Sequence, residues 1–130
     1  MSERRFVKVN VKTLVPQSVG LGFSIILEDD EGKKMIMAIG EMEGFAIQLA
    51  LEGKKYVRPL THDLMKNIIE GTGFSLEKVM ITELKNETYF ARIILKKENK
   101  VLSIDARPSD SIALALRFKA PIYVNSELLR

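Results

Sequence analysis

The chain has no cysteine and a single histidine, His62. Without cysteine there is no thiolate nucleophile, no Cys-ligated zinc and no redox disulfide. One histidine excludes paired-His metal motifs within a chain and leaves little room for a scheme that needs two imidazoles. No run approaches the ~18 uninterrupted apolar residues of a membrane-spanning helix. The N-terminus, Met1-Ser2-Glu3-Arg4-Arg5-Phe6, lacks the apolar stretch of a secretory signal, so the expected location is cytoplasmic. A glycine-rich phosphate loop, a serine nucleophile elbow and a zinc signature are all missing. Charge of one sign is scarce too. Lys and Arg number 20 against 17 Asp and Glu, and the excess of +3 lies wholly in the second half of the chain. A dedicated nucleic-acid binder carries a denser basic stripe, so this balance permits such a partner without predicting it.

What is present is enough for a core. Hydrophobic residues make up 46% of 130 residues, the size of one domain, taken as 1–130. Phe6, Val7, Val9 and Val11 alternate with Lys8, Asn10 and Lys12, which predicts a half-buried strand over Arg5–Val15, ended by Pro16. Leu21–Glu28 and Lys34–Ile39 form a hairpin around Asp29-Asp30-Glu31-Gly32-Lys33. Glu41–Glu52 reads as a helix that is apolar nearly all round and stops at Gly53. Thr61–Glu70 reads as a second helix. Thr61 is its expected N-cap, Leu60 and Met65 a hydrophobic staple, Asp63 a favourable first-turn charge, and Gly71 and Gly73 its stop. Val79–Leu84, Tyr89–Lys97 and Lys100–Ile104 follow as strands, Ser109–Phe118 as a helix and Pro121–Val124 as a last short strand.

The two halves echo one another. Ile39–Leu51 matches Ile104–Leu116 at a spacing of 65, and each copy follows a hairpin, giving an internal repeat over about residues 22–53 and 89–118. Two strand-strand-helix units predict an α+β fold: a mostly antiparallel sheet with helices packed on one face. Both repeat helices are apolar on more than one side and must be covered on several sides. In so short a chain that predicts helix against helix or a subunit interface, hence a homodimer or higher homo-oligomer.

The sharpest local feature is Asp105-Ala106-Arg107-Pro108-Ser109-Asp110-Ser111, at a strand-to-helix turn. Pro108 suits a helix start, Ser109 can cap it, and Asp110 opposes the N-terminal dipole. Read for function, the same turn offers Asp105 and Asp110, and the matching turn of the first half holds Glu41 and Glu43. Carboxylates brought together across a pseudo-twofold could hold Mg²⁺ or Mn²⁺, with Glu41, Asp105 and Asp110 as the ligands. Arg107 would then grip phosphate through its guanidinium fork. A second candidate is Lys54-Lys55-Tyr56-Val57-Arg58-Pro59-Leu60-Thr61-His62-Asp63, where cations precede a helix N-terminus and His62 is a candidate general acid or base. The plainer alternative is that these cations solvate a loop and His62 is a surface residue. Lys96, Lys97 and Lys100 cluster at a hairpin tip, where lysines protect a sheet edge.

Several of these stretches together resemble the bifunctional nuclease domain family, formerly a domain of unknown function, in its single-domain bacterial form. They are Ile39-Gly40-Glu41 with Ala46-Ile47, Arg58-Pro59-Leu60-Thr61-His62-Asp63-Leu64, Val79-Met80-Ile81-Thr82-Glu83-Leu84, Tyr89-Phe90-Ala91, Asp105 through Ala115, and Pro121-Ile122. The resemblance covers about residues 6–129. It implies a nuclease acting on both RNA and DNA, as plant members are credited with doing. The motif positions Arg58, His62, Asp63, Asp105, Arg107, Ser109 and Asp110 become the candidate site. In the enzyme reading His62, Asp105 and Asp110 are catalytic, Arg58, Arg107 and Ser109 bind phosphate, and cleavage has little sequence preference. In the other reading the same turn belongs to a non-enzymatic oligomeric module that binds an anionic ligand or a protein. Helix caps and site ligands use the same residue types, so the residues leave both open.

Overall fold

The structure, a computed structural model, describes residues 5–130. The reading of the N-terminus over residues 1–4 lies outside it. Seven strands and three helices follow in the order β1 (Phe6–Pro16), β2 (Phe23–Glu28), β3 (Lys34–Ile39), α1 (Glu41–Glu52), α2 (Thr61–Gly71), β4 (Ser75–Lys85), β5 (Thr88–Lys97), β6 (Lys100–Ala106), α3 (Pro108–Phe118) and β7 (Ile122–Asn125). The strands form one sheet, ordered β3-β2-β1-β7-β4-β5-β6. All neighbours are antiparallel except β4 and β7. The fold is α+β, with the helices packed on one face of the sheet. Two three-strand meanders, each followed by a helix, flank the short strand β7. Among the described residues no helix is long and apolar enough to cross a membrane.

Alternation fixes which side of each strand faces the helices. Ile25 and Leu27 of β2, Met35 and Met37 of β3, and Ala91, Ile93 and Leu95 of β5 are buried two residues apart. β4 departs from that period. Its buried residues are Leu76, Val79 and Ile81, and the register with β5 slips between Leu76 and Lys78. The extra residue, Glu77, is absorbed in a bulge, so Leu76 and Val79 face the same side three residues apart. The same strand pair slips again between Ile81 and Glu83, and β1 slips between Val11 and Thr13, just inside its pairing with β2.

α3 lies at the centre of the helical layer. Ile112, Ala113, Leu114 and Ala115 are buried, and the helix contacts α1, α2, β4 and β5. Its all-round apolar character is thus satisfied within one chain and gives no argument for a partner. α1 is different. Ile47 and Leu49 are buried, and Gly44 sits so close to β2 that a Cβ there would strike the Phe23 ring. Met42 and Phe45, however, remain 73% and 44% exposed.

Two expected caps are corrected by the structure. α2 begins one residue earlier than expected, with Leu60 as N-cap and Thr61 inside the helix. The orphan N–H of Leu60 donates to Asp63 Oδ2 at 3.0 Å. α3 begins at Pro108 with Arg107 as N-cap, so Ser109 is a buried first-turn residue and not the cap. Proline needs no partner for its missing N–H at that position, which is why the helix starts there.

Candidate functional site

The turn into α3 and the start of α2 meet over the N-terminal half of α1. Arg107, as N-cap of α3, directs its guanidinium back across its own first turn, and Nε donates to Asp110 Oδ2 at 2.9 Å. Its Nη1 reaches Glu43 Oε2 on α1 at 3.2 Å. Glu43 and Asp110 are each the third residue of their helix, although the repeat spacing of 65 pairs Glu43 with Pro108, and one arginine joins the two carboxylates. From α2, His62 Nε2 lies 2.9 Å from the other oxygen of Asp110. The His62 side chain is only 10% exposed. It is a buried group and not a surface first-turn residue.

Protonation follows from this geometry. Burial acts to raise the Asp110 carboxyl, but hydrogen bonds from Arg107 and His62, and their charges, hold it below its ordinary value of 3.8. An ionised carboxylate only accepts, so His62 Nε2 must carry the hydrogen it donates. The remaining ring nitrogen, Nδ1, has no hydrogen-bond partner among the described residues, and it carries the lone pair whenever the ring holds a single proton. A carboxylate that fixes tautomer and ring orientation is the arrangement that readies a histidine for proton transfer.

Behind this group lies a second pair. Arg117 of α3 is 8% exposed. Its Nε donates to Asp63 Oδ1 at 2.9 Å, Nη1 to Ala113 O at 3.0 Å and Nη2 to Ala46 O at 3.1 Å. One guanidinium thus ties α2, α3 and α1 together. Asp63 is resisted by burial, but the Leu60 backbone N–H and Arg117 keep its carboxyl below the usual range. A cleft of about 290 Å³ opens over these residues, with Glu43, His62, Arg107, Asp110 and Arg117 at its polar parts and Met42 and Phe45 as an apolar wall. The exposed Met42 and Phe45 of α1 therefore belong to the cleft.

Not every residue expected at the site is there. Asp105 is on β6, its side chain 75% exposed and 3.9 Å from Arg92 Nη1. Glu41 is exposed on the first turn of α1, and Arg58 is exposed and lines neither this cleft nor the larger one beside it. Glu41, Asp105 and Asp110 do not gather as a ligand set: among the described residues no three of His, Asp and Glu are placed to hold a metal ion. The donor set does not fit a metal, because Asp110 spends both oxygens on His62 and Arg107 and Asp105 faces Arg92. Arg117 and the pairing role of Glu43 were not foreseen. The one signal for Arg117 was an arginine four residues beyond Ala113 on an otherwise apolar helix.

A buried imidazole held by an ionised carboxylate, in a cleft with arginine at its rim, has the chemistry to move a proton beside an anion. The model of the bifunctional nuclease domain family matches residues 25–130, and the chain belongs to that family. It is 38% identical over 130 residues to an uncharacterised protein of Mycobacterium tuberculosis, covering 99% of this chain and 74% of that one. It is 32% identical over 129 residues to Bifunctional nuclease 1 of Oryza sativa subsp. japonica, covering 95% of this chain and 39% of the rice protein. Bifunctional nuclease 1 of Arabidopsis thaliana is 31% identical over 105 residues, covering 78% and 32%. The chain therefore spans about a third to two fifths of the plant relatives.

Proposed function

We propose that this chain is a nuclease that hydrolyses phosphodiester bonds of RNA and DNA with little sequence preference. The observation that carries the reading is the buried His62–Asp110 pair opening onto a cleft whose rim holds Arg107. His62 Nδ1 takes a proton from the attacking water as its oxygen bonds to phosphorus. The phosphorus–ester bond breaks, and the leaving oxygen takes a proton from solvent. Arg107 Nη2, which has no protein partner among the described residues, faces a phosphate oxygen while Nε and Nη1 stay on their carboxylates. The apolar wall of Met42 and Phe45 takes a base face without reading its edge, which suits low sequence preference. Family membership and the nuclease relatives support the same reaction class.

Among the described residues the carboxylates gather no three-ligand set, so the proton transfer rests on His62 and Asp110. The test is cleavage of single-stranded RNA and DNA by highly purified protein, with EDTA and with each added metal. His62→Ala, Asp110→Asn and Asp105→Asn are assayed beside the parent, with melting curves for each. Loss in the first two and retention in the third is expected. Retention in His62→Ala would overturn the assignment. Loss only in Asp105→Asn would return the site to the exposed carboxylates. A protein that binds oligonucleotide and cleaves none is the anion-binding module instead. A homodimer or higher homo-oligomer belongs to the same proposal. It is supported by Leu102 and Ile104, 38% and 41% exposed on the edge strand β6, and a solution mass of a single chain would remove it.

A further inference from the structure

Beside the His62 cleft, and sharing Arg117 with it, lies a larger cleft of about 640 Å³. It runs between the segment after α1 and the facing sides of α2 and α3. Its polar lining is one-sided: Lys54, Lys55, Lys66, Lys119 and Arg117 against a single carboxylate, Asp63. Asp63 is already held by Arg117 at 2.9 Å. The local excess of positive charge exceeds that of the whole chain, +3, so the remaining surface is slightly acidic. Lys55 and Lys119 have no ion-pair partner among the described residues. Lys54 pairs only with exposed Glu52 at 3.3 Å, and Lys66 lies 5.6 Å from the centre of the Phe118 ring. Tyr56, 54% exposed, adds a planar face to the same lining.

A backbone oddity sits in the cleft. Gly53, which closes α1, has φ +67°, and Lys119, which closes α3, has φ +57°. That left-handed conformation is free for glycine and costly for a residue with a Cβ. The fold keeps a lysine where glycine is the cheaper residue. Asn86, Glu87 and Glu98 share this conformation in hairpin turns, and among the four Lys119 alone lines the cleft.

We propose that this cleft is the track for an unpaired nucleic-acid strand, which leaves it past Arg117 and enters the His62 cleft for cleavage. Lys54, Lys55, Lys66 and Lys119 neutralise successive phosphates, and Tyr56 stacks on a base. A single strand with its bases turned out can set one against Tyr56; a duplex presents its paired bases inward and offers Tyr56 no face. The inference rests on the nuclease reading for its direction, but its own measurement is binding.

The probe is a fluorescein-labelled 15-nucleotide oligo-dT, with a blunt hairpin duplex of equal phosphate number as comparison, followed by anisotropy across a salt series. Tighter binding of the single strand is expected. Lys55→Ala and Lys119→Gly should each weaken it roughly fivefold to tenfold and make the salt dependence shallower by about 0.7 in log–log slope. Tyr56→Ala should weaken binding with the slope unchanged. Lys119→Gly is the decisive variant, because it should melt no lower than the parent and so separates binding from folding. His62→Ala should bind like the parent while losing cleavage. Unchanged affinity in Lys55→Ala and Lys119→Gly, or a preference for the duplex, overturns the track. Binding that follows these variants in a protein without cleavage leaves the track standing and removes the nuclease reading.

Discussion

The two clefts use charge in opposite ways. In the smaller one each charged side chain is already answered inside the protein: Glu43 and Asp110 by Arg107, Asp110 again by His62, and Arg117 by Asp63. In the larger one Lys55 and Lys119 face solvent without an ion-pair partner among the described residues. Charges that are internally paired hold atoms in place, as the His62 ring is held by Asp110. Charges left unpaired attract a counter-ion and set affinity and its salt dependence. One cleft is thus built for orientation and the other for attraction. A chain with a net charge of only +3 achieves both because its basic residues are unevenly spread.

The largest effect should come from breaking the smaller cleft. Removing the His62 imidazole removes the proton acceptor, which is expected to cost about 10²–10⁴-fold in cleavage rate. Asp110→Asn should cost a comparable factor, because an amide can donate as well as accept and no longer dictates which ring nitrogen carries hydrogen. Both variants should retain oligonucleotide affinity if attraction resides in the larger cleft. Parallel loss of binding and cleavage in His62→Ala would merge the two regions into one.

Next in size is Arg117, the residue both clefts share. Its guanidinium serves Asp63 and the carbonyls of Ala113 and Ala46 while almost wholly buried. Arg117→Ala leaves those groups to be solvated through a half-open cavity. The cost is expected near 2–3 kcal/mol, below the ~3–5 kcal/mol for a fully buried pair because Asp63 is 39% exposed. Arg117→Lys should recover little, since a point charge cannot divide itself among three acceptors in a fixed fork. Denaturant midpoints at constant slope measure this. A cost below ~0.5 kcal/mol would show that the helices hold the clefts apart without it.

How much of this was legible in the sequence depends on whether a feature is local. Strand alternation and glycine stops placed most elements, because they follow from backbone geometry that neighbours in sequence share. β4 was read only from Val79 because the bulge at Glu77 breaks the period of two, and Leu76 then falls out of phase. The N-caps Leu60 and Arg107 lie one and two residues before the expected caps Thr61 and Ser109, since neither is a side-chain capping type. The family resemblance picked out His62 and Asp110, 48 residues apart, but no spacing says that they touch. Asp105, next to them in the motif, is turned to the other side by strand geometry and meets Arg92. The larger cleft was invisible for the same reason. Lys54 and Lys55 come from one loop, Lys66 from α2 and Lys119 from the end of α3, and only the packing of three helices collects them.

The smallest effect separates the clefts by pH. Asp110 and Asp63 both have carboxyls held below 3.8 in the folded protein, against burial, by Arg107 with His62 and by the Leu60 N–H with Arg117. A carboxyl whose folded value is depressed binds fewer protons than its unfolded counterpart. Its stabilisation is therefore complete above 3.8 and is lost as pH falls below 3.8 through the folded value. These two carboxyls should add no slope to the melting temperature between pH 7 and 5 and should make it fall below pH 4. Asp110→Asn and Asp63→Asn should each flatten that fall, having no carboxyl to protonate. The lysines of the larger cleft keep their charge throughout this range. Lys55→Ala and Lys119→Gly should therefore track the parent's acid profile at a constant offset. An acid profile that changed in the lysine variants and not in the aspartate ones would place the acid-sensitive network in the larger cleft and reverse the division of labour between them.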